Sequence, residues 1–189
     1  MTVDERPLSR AEIAALAARI DRPVVLVGLM GVGKSSVGRR LAAALGVSFV
    51  DADDAIEEAA QMTISEIFEK DGEQEFRNGE RRVIARLMEE HHGVIATGGG
   101  AFVNDETRAL VLNKGIAVWL NADIDTLVER TARKQNRPLL KNGNPREILA
   151  RLKEDRDPAY AQAPIHVVSK TGPHQRTVNA ILKAIDKWL

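Results

Sequence analysis

Cysteine is absent from the 189-residue chain, which excludes a disulfide scaffold, a thiolate metal site and cysteine nucleophilic catalysis. Net charge is absent too, since 27 lysines and arginines balance 27 aspartates and glutamates. A neutral chain lacks the bulk field that draws proteins to nucleic acid or to an anionic membrane, so neither is expected as a partner. Long apolar runs are missing: the longest, around Pro23 to Gly33, is far too short to span a bilayer and is broken by glycines. The first twenty residues carry acids near their start and lack a continuous apolar core, so they do not read as a signal peptide. A reducing cytosol is the expected compartment. No internal repeat and no Gly/Ser/Pro linker divides the chain, and its length suits one globular domain.

What is present is an alternation of strands and helices. Ser9 followed by Glu12 has the form of a capping box, and Ile13, Leu16 and Ile20 share one helical face. Residues 1–22 are therefore expected to form a helical extension on a main body of residues 23–189. In that body Val24 to Val27 reads as a strand buried on both faces. Lys34 to Leu45 reads as a helix stopped at Gly46, and Val47 to Asp51 as a second strand. Helical segments run through Phe68 and from about Glu73 to Glu90. Val94 to Ala96, Ile116 to Leu120 and Ile165 to Val168 complete five strands, with an amphipathic helix closing the chain. The expected fold class is α/β, with three α/β/α layers around a parallel sheet of about five strands. Ligands of such sheets lie at the carboxyl ends of the strands.

The strongest motif sits at one such end. Gly28-Leu29-Met30-Gly31-Val32-Gly33-Lys34-Ser35 follows a strand, opens a helix and fits G-x-x-x-x-G-K-[ST]. The glycines clear the backbone N–H groups for phosphate, and the helix N-terminus adds further N–H groups and its positive dipole end. Gly31, Val32, Gly33, Lys34, Ser35 and Ser36 are thus the candidate contacts to a nucleotide. Lys34 would reach the β- and γ-phosphates and the Ser35 hydroxyl would hold Mg²⁺. The second strand ends in Asp51-Ala52-Asp53, which puts two carboxylates at the lip of the same site. One could assist Mg²⁺ while the other accepts a hydrogen bond from a substrate hydroxyl. Alternatively, Asp53 or Asp54 could simply cap the following helix.

The segments that follow narrow the reading. Ile67-Phe68, Asp71 to Arg77 with Glu80, Gly98-Gly99-Gly100-Ala101, Arg137-Pro138-Leu139-Leu140, and Arg156-Asp157-Pro158 with Tyr160 resemble the shikimate kinase family in order and spacing. The resemblance covers Pro23 to Leu189. It implies a P-loop kinase fold with a mobile lid, and transfer of the γ-phosphoryl of ATP to the 3-hydroxyl of shikimate within chorismate and aromatic amino-acid biosynthesis. It also implies site roles. Lys34, Asp53 and Arg137 would be catalytic, with Asp53 oriented on the attacking hydroxyl. Asp51 would support Mg²⁺ through water alongside Ser35. Arg77 and Arg156 would grip the shikimate carboxylate, with Gly98, Gly99 and Gly100 completing that pocket. Arg137 would swing in on the phosphates and Arg130 would lie against the adenine. The family precedent is a monomer. Asn78-Gly79 and Ala159 depart from the family's commonest wording without touching an assigned residue.

Elementary chemistry supports the same assignment, because arginine's planar fork suits a carboxylate. From Arg130 to Arg146 six basic residues occur with no acid, which reads as a solvated loop or as a lid over ATP at about residues 130–147. A kinase of another hydroxy acid such as gluconate, or an ATP-binding switch module without an acceptor, are the competing readings. His91-His92, His166 and His174 show no metal-ligand spacing, residues 172–174 remain unassigned, and Trp119 reads as core.

Overall fold

The computed structural model describes residues 6–91, 93–134 and 140–189. Its centre is a five-stranded, all-parallel sheet in the order β2-β3-β1-β4-β5. These strands are β1 (Val24–Val27), β2 (Phe49–Asp51), β3 (Val94–Ala96), β4 (Ile116–Asn121) and β5 (Ile165–Val168). The all-apolar run of β1 is accounted for by its place: it pairs with β3 on one side and β4 on the other, and none of its residues is more than 1% exposed. At one margin β5 alternates buried and exposed positions, as a strand with one covered face should.

Helices cover both faces. α1 (Arg10–Arg19) lies on α2 (Lys34–Leu45), and α2 packs against α8 (His174–Trp188). Right-handed crossovers carry α4 (Ile64–Glu90) and α5 (Asp105–Lys114) to the opposite face. α3 (Ala52–Ala60) packs along α4, and α6 (Ile124–Ala132) along α7 (Pro145–Tyr160). The three-layer expectation therefore holds among the described residues. The Ser9–Glu12 capping box is formed as expected, Leu16 is buried, and Arg19 pairs with Asp186 of α8 at 2.6 Å.

Two boundaries differ from expectation, and one expected break is found within a single helix. Val47 lies in the turn after α2, where its N–H bonds back to the Ala42 carbonyl, and β2 begins only at Phe49. The break expected between Phe68 and Glu73 is present as a kink inside α4, at Gly72. Gly72 takes φ 83°, ψ 171° and kinks the helix, whereas Gly79 stays helical on an open surface. The basic segment is also shorter than residues 130–147, since α6 runs through Ala132 and the Asn144 side chain caps α7.

The order of strands sets the site. From β1 the chain moves outward to β2, returns through β3, and then crosses to β4 on the far side. The loops after β1 and β3 therefore open at the switch point of the sheet, where a crevice forms.

Candidate active site

The loop after β1 wraps the N-terminus of α2, and Gly31 and Gly33 take φ of 85° and 95°, values that an L side chain rarely adopts. Gly33 occupies the N-cap position without a side-chain cap, which leaves the first amides of α2 to an anion. Lys34 is only 9% exposed and donates to the Gly28 and Leu29 carbonyls at 2.7 and 2.9 Å. Gly31, Gly33, Lys34, Ser35 and Ser36 all line a cleft of about 1000 Å³. Val32 is buried, its side chain in the core, while its carbonyl accepts from Arg130 at 3.0 Å.

Arg130 also donates to Ser169 Oγ at 3.0 Å and to the Lys170 carbonyl at 2.9 Å, so its guanidinium ties the phosphate loop to the β5–α8 connection. It is a fixed wall of the site rather than the start of a lid. His174 sits opposite, its imidazole 3.6 Å from where a Gly33 Cβ would stand. Burial, followed by the Arg130 and Arg40 cations, pushes the His174 imidazole below its ordinary value. Thr171, Gly172 and His174 line the cleft, a contribution that spacing arguments did not reveal. Arg133 and Lys134 line it too, while Arg146 is paired with Asp125 and belongs to the framework.

Ser35 Oγ donates to Asp51 Oδ2, and Asp51 Oδ1 accepts from the Asp53 N–H at 3.0 Å. Asp51, not Asp53 or Asp54, is thus the N-cap of α3. A hydroxyl and a carboxylate in contact form a hard oxygen pair beside the cradle, which fits Mg²⁺. Among the described residues no group of three or more His, Cys, Asp or Glu could hold a metal on its own.

On the other side of the cleft the triple glycine makes room for charged side chains. The space that side chains at Gly98 and Gly100 would fill is already taken by the site's own charges. A Cβ on Gly98 would stand 2.8 Å from Glu80 Oε2 and 2.9 Å from Asp53 Oδ1, and one on Gly100 would meet the Arg77 guanidinium at 2.5 Å. Next to Gly99 lies Arg156, its Nη1 3.5 Å from that glycine's missing Cβ. The glycines therefore let Asp53, Glu80, Arg77 and Arg156, from α3, α4 and α7, converge on one strand end. Phe68, Phe76, Ile64 and Met30 supply apolar wall.

Glu80, quoted in the sequence motif without a role, is the buried counter-charge of this cluster. It is 3% exposed and accepts from Arg77 Nη1 at 2.9 Å. Burial pushes its carboxyl above the usual carboxylate range, with Arg77 and Arg156 pulling it partly back. Because folding raises this pKa, its contribution to stability is full below the ordinary glutamate value of 4.5 and lost as pH climbs through the raised value. Wild type should accordingly lose stability relative to Glu80→Gln as pH rises from 4.5, at about 1.4 kcal/mol per unit of pKa displacement. Paired thermal melts across that range check this, and parallel curves would mean that Glu80 ionises as an ordinary carboxylate does.

Among the described residues, Glu80 Oε2, Arg156 Nη1 and His174 Nδ1 are buried atoms without a hydrogen-bond partner, and all three residues line the same cleft. Buried polar atoms are seldom left so, and their convergence marks a place for a polar ligand. His91 Nε2 is also unpartnered but lies at the C-cap of α4, away from the cleft lining. His166 bonds the Ala161 and Ala163 carbonyls and packs edge-on against Trp119, a structural role. Arg137 and His92 lie outside the described residues.

A parallel sheet with a glycine-rich phosphate cradle after its central strand, facing an arginine-lined pocket with an acid at its lip, defines a P-loop small-molecule kinase fold. The comparisons with known proteins specify the family. The family model for shikimate kinase matches residues 30–186. A shikimate kinase of Novosphingobium aromaticivorans is 61% identical over the whole of both chains, so it includes a counterpart of α1. The solved shikimate kinase of Acinetobacter baumannii in complex with shikimate superposes with a TM-score of 0.87 at 38% identity, covering 91% of this chain and 97% of that one. A gluconokinase of Sinorhizobium meliloti reaches a TM-score of 0.61 at 18% identity, covering 89% and 94%, a likeness of fold alone. The chain belongs to the shikimate kinase family.

Proposed function

We propose that the protein transfers the γ-phosphoryl group of ATP to the 3-hydroxyl of shikimate, giving shikimate 3-phosphate and ADP. The observation that carries this reading is the convergence of Arg77 and Arg156 with Asp53 around Gly98–Gly100, one loop away from the phosphate cradle. A switch that only reads nucleotide has no use for a carboxylate grip beside a hydroxyl-binding acid. The Acinetobacter relative was solved with shikimate bound, which supports the same acceptor here.

In the proposed reaction the amides of Gly31 to Ser36 and the Lys34 ammonium hold the triphosphate. Arg130 and His174 flank the nucleoside side of the cradle. Arg77 and Arg156 hold the acid's carboxylate at the far end, so the ring is gripped there while its hydroxyl is presented at the other end. Asp53 accepts the hydrogen bond of the attacking hydroxyl and takes up its proton as transfer completes. Little deprotonation is needed before transfer if the transition state is loose, so positioning and charge neutralisation carry most of the rate. Ser35 and Asp51 would hold Mg²⁺, which when bound neutralises developing phosphate charge. We assign Arg137 to the phosphates as well, with residues 133–144 as the lid. The support is the run of basic residues with no acid, Arg133 and Lys134 already at the cleft. A cytosolic monomer is the setting we propose.

The direct test is coupled ADP release with MgATP, comparing shikimate, gluconate and no acceptor. Release that depends on shikimate is expected. Release with gluconate instead would move the protein to another acceptor, and tight ATP binding without acceptor-dependent release would favour a switch.

A further inference from the structure

We infer that Tyr160 is a positioning residue for the acceptor: its hydroxyl holds the Gly99 carbonyl and thereby sets the peptide plane that offers the Gly100 N–H to the acid beside Arg77. The inference deepens the acceptor reading above and rests on it.

Tyr160 is the single tyrosine of the chain and closes α7, with 0% exposure. Its ring packs near Trp119, centroids 6.1 Å apart, and its O–H donates to the Gly99 carbonyl. Burial pushes the phenol up to about 12, so it stays a donor throughout the neutral range. The neighbouring carbonyls already have partners: Gly98 accepts from the Ala101 N–H and Gly100 from the Val103 N–H, both at 3.2 Å. Tyr160 supplies the Gly99 carbonyl's side-chain donor.

A trans peptide is planar, and its C=O and N–H point to opposite sides. A Gly99 carbonyl held against α7 therefore turns the Gly100 N–H away from α7. Arg77 lies on the face of Gly100, in the space a Cβ would occupy. The amide and the guanidinium are thus presented together, as two donors for one carboxylate. Gly99 is also the point where the two arms of the site touch. Its missing Cβ would stand 3.3 Å from the Met30 amide of the phosphate loop and 3.5 Å from Arg156 Nη1. With three glycines in a row there is little intrinsic stiffness to hold this geometry, so an external anchor has an effect that packing alone would not.

Removing the hydroxyl takes away its bonds with the Gly99 carbonyl and with Arg156, while a phenyl ring still fills the space beside Trp119. In the full-length Tyr160→Phe variant the KM for shikimate should rise roughly fivefold, the scale of one lost hydrogen bond, while the KM for ATP stays unchanged. An unchanged KM for shikimate with a lowered melting temperature would mark Tyr160 as framework only and overturn the inference. Equal rises for both substrates would do the same. Wild type run alongside separates the two readings, since absence of any shikimate-dependent ADP release there would take down the acceptor assignment and this inference with it. Should the variant fold poorly, the single tyrosine allows uniform replacement by fluorotyrosine, which gives one fluorine resonance in the intact protein. That resonance should move on saturation with shikimate, and a stationary signal would count against the anchor.

Discussion

Asp53→Asn should lower turnover by about 10²- to 10⁴-fold, the range associated with losing a positioned proton acceptor, while ATP binding survives. The substitution keeps size and shape, so the first turn of α3 and its Asp51 cap should persist; that cap uses the backbone N–H of residue 53, not its side chain. What changes is the group facing the attacking hydroxyl. The Asp53 Oδ1 atom stands 2.9 Å from the point where a Gly98 Cβ would be, so its carboxylate is set against the acceptor loop. Steady-state kinetics together with ATP titration calorimetry read the two effects separately. Near-normal turnover would remove Asp53 from the chemistry, and a parallel collapse of ATP affinity would place it on the wrong arm of the site.

Lys34→Ala should reduce turnover at least as far, by about 10³-fold or more. Loss of one preorganised donor to a developing charge costs about 10²- to 10³-fold, and here ATP affinity falls as well. The structure adds a reason to separate rate from stability. The Lys34 ammonium is 9% exposed and bonded to the Gly28 and Leu29 carbonyls, so it also braces the loop. Truncation should cost about 1–3 kcal/mol through the donor lost to Gly28, visible as a lower melting temperature. Shikimate binding, measured without nucleotide, should be nearly intact. Substantial ADP release by this variant would mean that the triphosphate is held elsewhere.

Much of this molecule could be read before its structure was known, and for physical reasons. The cradle is legible because its function demands glycines, a lysine and a hydroxyl at fixed offsets within ten residues. The strands of the centre are legible because burial on both faces leaves only apolar choices, as in Val24–Val27. Glu80 and Tyr160 were visible as letters of a motif but not as parts. Each is one helical turn from its arginine, Glu80 at i+3 from Arg77 and Tyr160 at i+4 from Arg156, so each shares a helix face with it. Spacing on one helix cannot show that two such faces, from α4 and α7, meet at Gly98–Gly100. His174 escaped for a related reason, since its environment is made by Arg130 and Gly33, which are far away in sequence. The break in the long helical stretch was legible between Phe68 and Glu73, and the structure puts it at Gly72.

The two arms of the site inherit different resistance to unfolding. The phosphate loop hangs from β1, hydrogen-bonded along both edges and sealed from water, where amides should exchange only when the whole sheet opens. One wall of the acceptor side, with Asp53 on α3 and Ile64 and Phe68 on the piece of α4 before the Gly72 kink, is carried by segments whose outer faces are exposed. That wall can loosen as a local unit while the sheet stays closed. A destabilising substitution in those outer helices is therefore felt first as a misplaced Asp53, in a chain that is still folded and still holds its nucleotide.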